Sequence, residues 1–399
     1  MADQENTIPT RRPQREAKTR AVAALSEQRK RKRVERVERV ALGDVTNTSV
    51  KNVSDIHKQK KRNIAKSKSV EEESPVPENL EVKSEVKPED PQLCGPYVSD
   101  IYDYLRNLEV DPSKRPLADY IQKVQRDVNS SMRGVLVDWL VEVAEEYKLV
   151  SDTLYFSVSY IDRFLSLNDL SRQKLQLLGV SSMLIASKYE EIKPPEVEDF
   201  CYITDNTYSK EEVLGMEADI LKALKFELGG PTIKTFLRRF FTKVGQEGID
   251  LHGRPISIYG YAKFGDFMFC LMLLFSSVQA SELQFEFLGC YLAELSLLDY
   301  HCVKFLPSMV AASVVFLARF MLSPKTHPWN LAIYQLTRYN PAELKECVLT
   351  IHDLYLGRKG GALQAVRDKY KQHKFKCVAT TPSPPEIPLS FFEFREADP

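Results

Sequence analysis

The sequence predicts an all-α protein preceded by a disordered N-terminal tail, and three observations lead to this prediction. From residue 97 onward, apolar side chains recur at helical spacing. The alternation of apolar and polar residues that is typical of strands is absent over any useful length. Residues 1–93 contain no Trp, Tyr or Phe, although these make up 10 % of the whole chain. At about 150 residues per domain, the 399 residues suggest two or three units.

The charge of the chain is zero overall but is unevenly distributed. The 55 basic side chains balance the 55 acidic ones, which disfavours a nucleic-acid binder that relies on bulk positive charge. Residues 1–70 nevertheless hold 19 Lys or Arg against 8 Asp or Glu, and residues 71–93 hold 2 against 8. Such a segment buries too little apolar surface to offset the entropy of the chain, so we predict that residues 1–93 are disordered.

Cysteine usage and hydropathy predict a soluble, intracellular protein without a membrane partner. The seven cysteines are an odd number and form no C-x-x-C pair, which indicates reduced thiols and not a disulfide framework. The first 25 residues lack the apolar core of a signal peptide. The longest uninterrupted apolar run, residues 267–275, has about half the length that a bilayer-spanning helix needs.

A first helical unit follows the tail. One of its helices carries an apolar stripe at helical spacing, formed by Leu136, Trp139, Leu140, Val143 and Tyr147. Residues 173–192 are apolar nearly all round, which is typical of a central helix surrounded by others. Two prolines at 194 and 195 end this helix. Ser209 and Glu212 have the spacing of a capping box, which predicts a further helix that extends to about Phe226.

A second helical unit begins after the Gly-Gly-Pro boundary at 229–231. Residues 307–321 again form a nearly all-apolar segment with small side chains, and Asn340 followed by a proline begins another helix. The order of central helix, loop and capped helix therefore occurs twice, about 132 residues apart. We interpret this order as a weak internal duplication of an all-α unit.

Three motifs occur in order in the first unit: MRGVLVDWLVEV at 132–143, YIDRFL at 160–165 and ASKYEEIKPPE at 186–196. Together they resemble the cyclin box of mitotic cyclins. The form LVDWLVEV and the run CYITD at 201–205 are similar to A-type cyclins, and the plant A3 subtype is the most similar. The resemblance covers residues 97–245 and 286–380, which is most of the chain after the tail.

The resemblance implies two tandem five-helix cyclin folds. It places an N-terminal cyclin box at 97–229, a C-terminal cyclin fold at 230–380 with an atypical insertion at about 250–283, and a flexible C-terminal tail at 381–399. It also implies a regulatory subunit without catalytic activity or cofactor, which binds and activates a cyclin-dependent protein kinase by positioning the αC helix of the kinase. Such a subunit recruits substrates and controls cell-cycle progression through S phase and G2/M.

The motifs of the chain agree with a non-catalytic role. The sequence has no Gly-rich phosphate loop, no G-x-S-x-G and no His or Cys cluster at metal-ligand spacing. A transcription adaptor is an alternative, because adaptors share this fold without the kinase-activating role. A third alternative is that the chain is an enzyme, but no set of catalytic residues in the sequence supports it. A kinase contact combined with a destruction box favours the regulatory subunit, since an adaptor has no reason to hold both.

The predicted kinase-binding surface is centred on Lys188 and Glu217. The resemblance implies that both bond the backbone of the αC region of the kinase, whereas the alternative is an intramolecular ion pair that contributes about 0–1 kcal/mol. The resemblance adds apolar residues around this pair and on a preceding helix, with membership of the core as the alternative. These residues are Ile185, Tyr189, Ile192, Leu221, Phe226, Leu228, Tyr97, Ile101 and Tyr104.

A second predicted surface is a patch that docks substrates and inhibitors carrying an Arg-x-Leu motif. The resemblance assigns to it Met132, Val135, Leu136, Trp139, Glu142, Arg172, Leu175 and Gln176. The apolar side chains would hold the leucine, while Glu142 would receive the arginine through a charge-assisted bond. The alternative places Leu136 and Trp139 in the core stripe of their helix. Gly134, where the family usually has alanine, costs the helix up to about 1 kcal/mol in propensity.

Two charged residues, Arg133 and Asp162, stand within otherwise apolar helical segments. The resemblance implies that they form a buried salt bridge between two helices of the first fold. We therefore expect a structural role for this pair and not a role in binding. Removal of one partner from a buried pair costs about 3–5 kcal/mol.

The tail contains the pattern R-x-x-L-x-x-x-x-N of a destruction box, formed by Arg39, Leu42 and Asn47. By resemblance, this pattern marks mitotic cyclins for ubiquitin ligation by the anaphase-promoting complex and for proteasomal destruction. An accessible chain with several lysines close by, as between residues 51 and 61, suits such ligation.

Two basic clusters, at 29–33 and 58–62, predict nuclear import and a nuclear location with some cytoplasmic protein. The alternative is solvated charge or weak contact with nucleic acid. Ser74, Thr381 and Ser383 each precede a proline and are candidates for proline-directed phosphorylation.

The family pattern is interrupted between residues 248 and 283, where roughly 34 extra residues replace a short linker. The apolar run at 267–275 lies within them and would be adhesive in an exposed loop. Three interpretations are open: a retained intron or gene-model error, a genuine disordered insertion, or an anchor for a membrane or partner.

Overall fold

The computed structural model describes residues 97–246 and 267–393. Within these ranges the regular elements are α-helices and short 3-10 turns without any strand, which confirms the all-α prediction. The predicted disordered tail, the destruction box (Arg39, Leu42 and Asn47), both basic clusters and Ser74 lie outside the described residues.

The helices up to residue 223 comprise two that lead into the first bundle and five that form it. The leading helices are α1 (Val98–Glu109) and α2 (Tyr120–Lys123), and the first bundle consists of α3 (Ser130–Tyr147), α4 (Ser151–Leu167), α5 (Leu175–Glu190), α6 (Val197–Ile203) and α7 (Lys210–Ala223). The predicted capping box begins α7, since the backbone N–H of Ser209 donates to Glu212 at 2.8 Å.

The second bundle repeats the five-helix order, and one short helix follows it. Its helices are α8 (Ile233–Gln246), α9 (Phe267–Leu298), α10 (Pro307–Leu322), α11 (Leu331–Thr337) and α12 (Pro341–Tyr355), followed by α13 (Ala365–Tyr370). Helices α5 and α10 both have 16 residues, and α6 and α11 both have 7. Asn340 and Glu343 form a further capping box at the start of α12. This matching of lengths supports the duplication that the sequence predicts.

A central apolar helix holds each bundle together, as predicted. Helix α5 packs against α3, α4, α6 and α7, and its side chains from Leu177 to Ser187 are buried. Helix α10 packs against α8, α9 and α12, and it is buried from Val310 to Met321. A helix in this position has no polar side because neighbours cover it all round.

The predicted flexible tail at 381–399 is wrong for residues 381–393. Ile387 and Phe392 are buried, and the ring of Phe392 stacks on Phe316 of α10 with centroids 5.2 Å apart. Residues 371–393, which we call the C-terminal strap, therefore pack along the second bundle. The strap is ordered because it carries large apolar side chains, whose burial offsets the entropy of an irregular segment.

The predicted insertion at about 250–283 lies partly outside the described residues. From Phe267 onward the chain is helical, and α9 continues without a break to Leu298. Across the described ranges, no helix combines the length and the apolar character that a bilayer crossing requires.

A buried ion pair connects the two bundles. Arg133 of α3 donates from Nε and Nη2 to the two carboxylate oxygens of Asp162 on α4, each over 2.7 Å, and it donates from Nη1 to the carbonyl oxygen of Leu297 on α9 over 2.7 Å. The Tyr120 hydroxyl donates to the same carboxylate over 2.9 Å. Burial by itself would lower the pKa of Arg133, but Asp162 raises it above the ordinary value, so the guanidinium stays charged.

Gly134 lies where α3 approaches the second bundle. A Cβ atom at this position would be 3.1 Å from Leu363 Cδ1 and 3.2 Å from the carbonyl oxygen of Leu298. The missing side chain therefore lets α3 approach the end of α9, which brings Arg133 within reach of Leu297. The cost in helix propensity that the sequence predicts is offset by this close packing.

We predict that Arg133→Ala lowers the free energy of unfolding by about 3–5 kcal/mol, because it leaves Asp162 buried without its cation. Chemical denaturation of the purified chain measures this loss. Arg126→Ala is the matched control, since Arg126 pairs with Asp169 on the surface at 3.7 Å and should contribute about 0–1 kcal/mol. Equal stability of Arg133→Ala and the unmodified chain would contradict the structural role.

Candidate partner-binding surfaces

Lys188 and Glu217 lie together on the outside of the first bundle. Lys188 is in the last turn of α5, and its Nζ lies 2.6 Å from Oε1 of Glu217 on α7. The Lys188 side chain is 47 % exposed and that of Glu217 is 13 % exposed. The pair is thus an intramolecular ion pair in this chain, and it remains open to a partner on the lysine side.

Six of the predicted apolar contact residues are exposed, and we call them the exposed apolar face. They are Tyr97, Ile101, Tyr104, Tyr189, Ile192 and Phe226. Ile192 is 99 % exposed, although isoleucine is among the residue types that are most often buried. On soluble proteins, exposed large apolar side chains mark interaction sites where they form a contiguous patch.

Three further predicted contact residues are less accessible. Ile185 is 3 % exposed and belongs to the core, so its assignment to the kinase-binding surface is wrong. The reason is that α5 is central in its bundle, and only its last turn emerges from the surrounding helices. Leu221 and Leu228 are partly buried and pack against the core.

Helix α1 presents its part of the exposed apolar face because its other side is held by the second bundle. The Tyr102 hydroxyl donates to the Thr235 carbonyl over 3.2 Å, and the Arg239 guanidinium lies 4.3 Å from the centre of the Tyr102 ring. Further along, the Glu109 carboxylate accepts from both the N–H and the hydroxyl of Ser308, over 2.9 and 2.6 Å. Tyr97, Ile101 and Tyr104 have helical spacing and lie away from these contacts.

The end of α5 is joined to the segment after α7. The Tyr189 ring packs edge-on against Phe156 of α4 with centroids 5.3 Å apart. A Cβ atom on Gly229 would lie 3.0 Å from the Tyr189 hydroxyl, so glycine permits this approach. Phe226 has φ +58° and follows a residue that is also left-handed, a conformation that is unfavourable for non-glycine residues. This backbone turn directs the chain so that Phe226 is 68 % exposed.

Arg163 supports the same region, although no motif in the sequence predicted a role for it. Its guanidinium donates to the carbonyl oxygens of Glu227 and Ser113, over 3.0 and 3.3 Å, and so joins the loop after α7 to the loop after α1. Lys114 adds an ion pair to the Glu227 carboxylate at 2.5 Å. Burial lowers the pKa of Arg163. The signal was available in the sequence, because Arg163 stands in the apolar YIDRFL motif beside Asp162.

The predicted substrate-docking patch is partly exposed. Val135 is 56 % exposed, Glu142 and Arg172 are exposed, and Met132, Trp139 and Gln176 are partly buried. Met132, Val135, Trp139 and Glu142 recur at helical spacing along one side of α3. Arg172 pairs with Asp127 at 3.1 Å, which fixes the turn before α5.

Two members of the predicted patch are not available for docking. Leu136 and Leu175 are 5 % and 6 % exposed, so their assignment to the patch is wrong. Leu136 fills the space beside Gly179 of α5, where a Cβ atom would lie 2.7 Å from Leu136 Cδ1. The alternative that places Leu136 in the core stripe of its helix is therefore correct.

The described residues contain no group of three or more His, Cys, Asp or Glu side chains that could hold a metal ion. Burial raises the pKa of the Cys347 thiol to about 12 and that of Cys302 well above its ordinary value. These thiols are therefore protonated at neutral pH and are weak nucleophiles.

Comparisons with known proteins identify the family. The family models described as "Cyclin, N-terminal domain" and "Cyclin, C-terminal domain" match residues 100–229 and 266–384. An A3-type cyclin sequence of Arabidopsis thaliana is 55 % identical over 394 residues, which cover 98 % of this chain and 99 % of the relative. Cyclin-A3-1 of Oryza sativa subsp. japonica is 59 % identical over 304 residues, covering 76 % of this chain and 74 % of the relative.

Two further proteins are similar to the chain. The G2/mitotic-specific cyclin C13-1 of Daucus carota is 55 % identical over 317 residues, covering 79 % of this chain and 84 % of the relative. A viral cyclin from herpesvirus saimiri has a TM-score of 0.48 at 19 % identity, covering 65 % of this chain and 96 % of the viral protein. From the matched domains and the plant relatives, the chain belongs to the cyclin family and is an A-type cyclin of the plant A3 subtype.

Proposed function

We propose that this chain is a non-catalytic regulatory subunit that binds and activates a cyclin-dependent protein kinase. The observation that carries the proposal is the Lys188–Glu217 pair on the outside of the first bundle, which lies next in the chain to exposed Tyr189 and close to exposed Ile192. The family supports this function, and the "G2/mitotic-specific" name of the carrot relative supports a role in the cell cycle at G2/M, to which our proposal adds S phase.

The proposed mechanism is a shift in the conformational equilibrium of the kinase. A protein kinase is active when its β3 lysine pairs with a glutamate on its αC helix. A surface that binds only this conformation must supply about 5.5 kcal/mol to change the ratio of active to inactive kinase from 1:99 to 99:1. Burial of one large apolar side chain contributes about 1.5–3 kcal/mol. Burial of several members of the exposed apolar face therefore supplies enough free energy for this shift, even after the free-energy cost of association is subtracted.

Lys188 and Glu217 would fix the position of the kinase on this surface. An ammonium group has three donors, and the contact with Glu217 uses one of them. Lys188 can thus donate to backbone carbonyls of the αC region while Glu217 keeps its side chain in place. Because the lysine is already held before binding, less side-chain entropy is lost on association.

We also propose substrate recruitment by the exposed part of the docking patch, with Val135 as its apolar contact and Glu142 as the acceptor for an arginine.

The tail adds two further proposals. Arg39, Leu42 and Asn47 would direct ubiquitin ligation by the anaphase-promoting complex, and the basic clusters at 29–33 and 58–62 would direct the chain to the nucleus, with part of it in the cytoplasm.

We predict that Lys188→Ala and Glu217→Ala each weaken binding of the kinase about 10- to 100-fold, since a hydrogen bond to a charged group contributes about 1.5–3 kcal/mol. A pull-down followed by a kinase assay measures binding and activation. Lys210→Ala is the matched control, because the Lys210 side chain is about as exposed as that of Lys188 and forms an ion pair with Glu198 at 2.5 Å. If both substitutions leave binding and activation unchanged, the proposed contact is refuted.

We predict that Val135→Ala weakens an Arg-x-Leu peptide about tenfold while the stability of the chain changes by no more than about 0.5 kcal/mol. Leu136→Ala should instead destabilise the fold by about 2–5 kcal/mol, because it opens a cavity beside Gly179. Calorimetric titration with the peptide and thermal unfolding separate the two effects. Unchanged peptide affinity in Val135→Ala would exclude this patch.

We predict that the double substitution Arg39→Ala with Leu42→Ala prolongs the lifetime of the chain through the exit from mitosis. The measurement is the level of a tagged chain in synchronised cells. Arg36→Ala with Val37→Ala is the matched control, since it removes a similar pair of side chains outside the R-x-x-L pattern. Disappearance of the first variant on the normal schedule would argue against the destruction box.

A further inference from the structure

The C-terminal strap crosses α12 as an extended segment that contains two Ser/Thr-Pro steps. Residues 381–388 lie between the 3-10 turns Val378–Thr380 and Leu389–Phe392, and both turns anchor buried side chains. Prolines at 382, 384 and 385 prevent a helix in the intervening segment. A protein kinase needs its acceptor in an irregular, extended segment of this kind, but here the segment is held against the fold.

Two side chains of α12 and one from the loop that follows it hold alternate residues of this segment. The Tyr355 hydroxyl donates to the Thr381 carbonyl. Nε2 of His352 lies 3.0 Å from Oγ of Ser383, and Arg358 donates to the Pro385 carbonyl over 2.7 Å. Contacts at every second residue are what an extended chain presents to one surface. Of these three contacts, the one between His352 and Ser383 is the only one that uses a side chain of the strap.

We propose that Ser383 is a site of proline-directed phosphorylation and that its modification releases the strap from α12. In this reaction the Ser383 oxygen attacks the γ-phosphorus of ATP. The bond between that phosphorus and the β-phosphate oxygen breaks, ADP leaves, and the hydroxyl proton passes to a base of the modifying kinase. The co-reactants are ATP and a serine/threonine kinase that selects proline after the acceptor.

Release follows from the space around the Ser383 oxygen. The 3.0 Å between this oxygen and His352 is filled by their hydrogen bond, so a phosphoryl group does not fit between them. The imidazole cannot retreat, because His352 is 2 % exposed and packs edge-on against Phe320 of α10. The strap is the part that can move.

The electrostatics of the closed strap also disfavour the phosphate. Phosphorylation adds about −1.5 to −2 charges at pH 7. Burial and then Arg358 lower the pKa of His352, so the imidazole offers no positive charge at neutral pH. The two terminal nitrogens of Arg358 already donate to Asp353 and to Pro385. The charge of a phosphoserine at position 383 is therefore stabilised more by water than by the side chains that face the strap.

The test treats the full chain with a purified proline-directed serine/threonine kinase and ATP. Mass spectrometry locates the phosphate, and hydrogen–deuterium exchange follows the strap amides at 378–393. We expect phosphate on Ser383 and exchange of these amides that is about tenfold faster than before treatment. Ser383→Ala should show neither change after the same treatment.

Thr381→Val is the matched control, because it removes the neighbouring acceptor and leaves the His352 contact intact. This variant should still be modified at Ser383 and should still release the strap. Phosphate on Thr381 alone, or no phosphate on either residue, would overturn the proposal. Modification of Ser383 without faster exchange of the strap would equally overturn it.

Discussion

The Arg133–Asp162 pair is the interaction on which the rest of the molecule depends. One buried guanidinium holds the carboxylate of α4 in the first bundle and the Leu297 carbonyl of α9 in the second. The carboxylate in turn accepts from Tyr120, and the Tyr120 ring packs edge-on against Tyr300 with centroids 5.0 Å apart. A charge that is buried so deeply is tolerated only with all of these partners in place, so the pair fixes how the two bundles pack.

The proposed partner surface is a product of this packing. Helix α1 contributes three side chains of the exposed apolar face, but it contacts the second bundle through Tyr102 and Glu109. The end of α5 and the loop after α7 belong to the first bundle, and Arg163 connects that loop to the chain that follows α1. The surface therefore has its shape only when both bundles are folded and docked, although its charged pair lies entirely on the first.

The sequence predicts the helices of this protein well because their signals are local. The capping residues Ser209 and Asn340 begin helices where expected, and the two wholly apolar segments are the central helices. The same uniform apolar character explains the errors at the site. A helix without a polar side gives no period from which to separate buried Ile185 from exposed Tyr189. Contacts such as that of Arg133 with Leu297 join residues far apart in the chain, and no local sequence pattern predicts them.

The repeat of the two bundles and the course of the C-terminal strap together make the two halves of the protein unequal. Counted from the start of each central helix, the position of Lys188 in α5 corresponds to Phe320 in α10. Phe320 is covered by Phe391 of the strap, with ring centroids 6.1 Å apart. In the second bundle, the position that corresponds to Lys188 is thus covered by the chain itself, whereas Lys188 in the first bundle is exposed. Of the two equivalent positions, the one in the first bundle alone is accessible, and the duplicated fold is therefore asymmetric toward any partner.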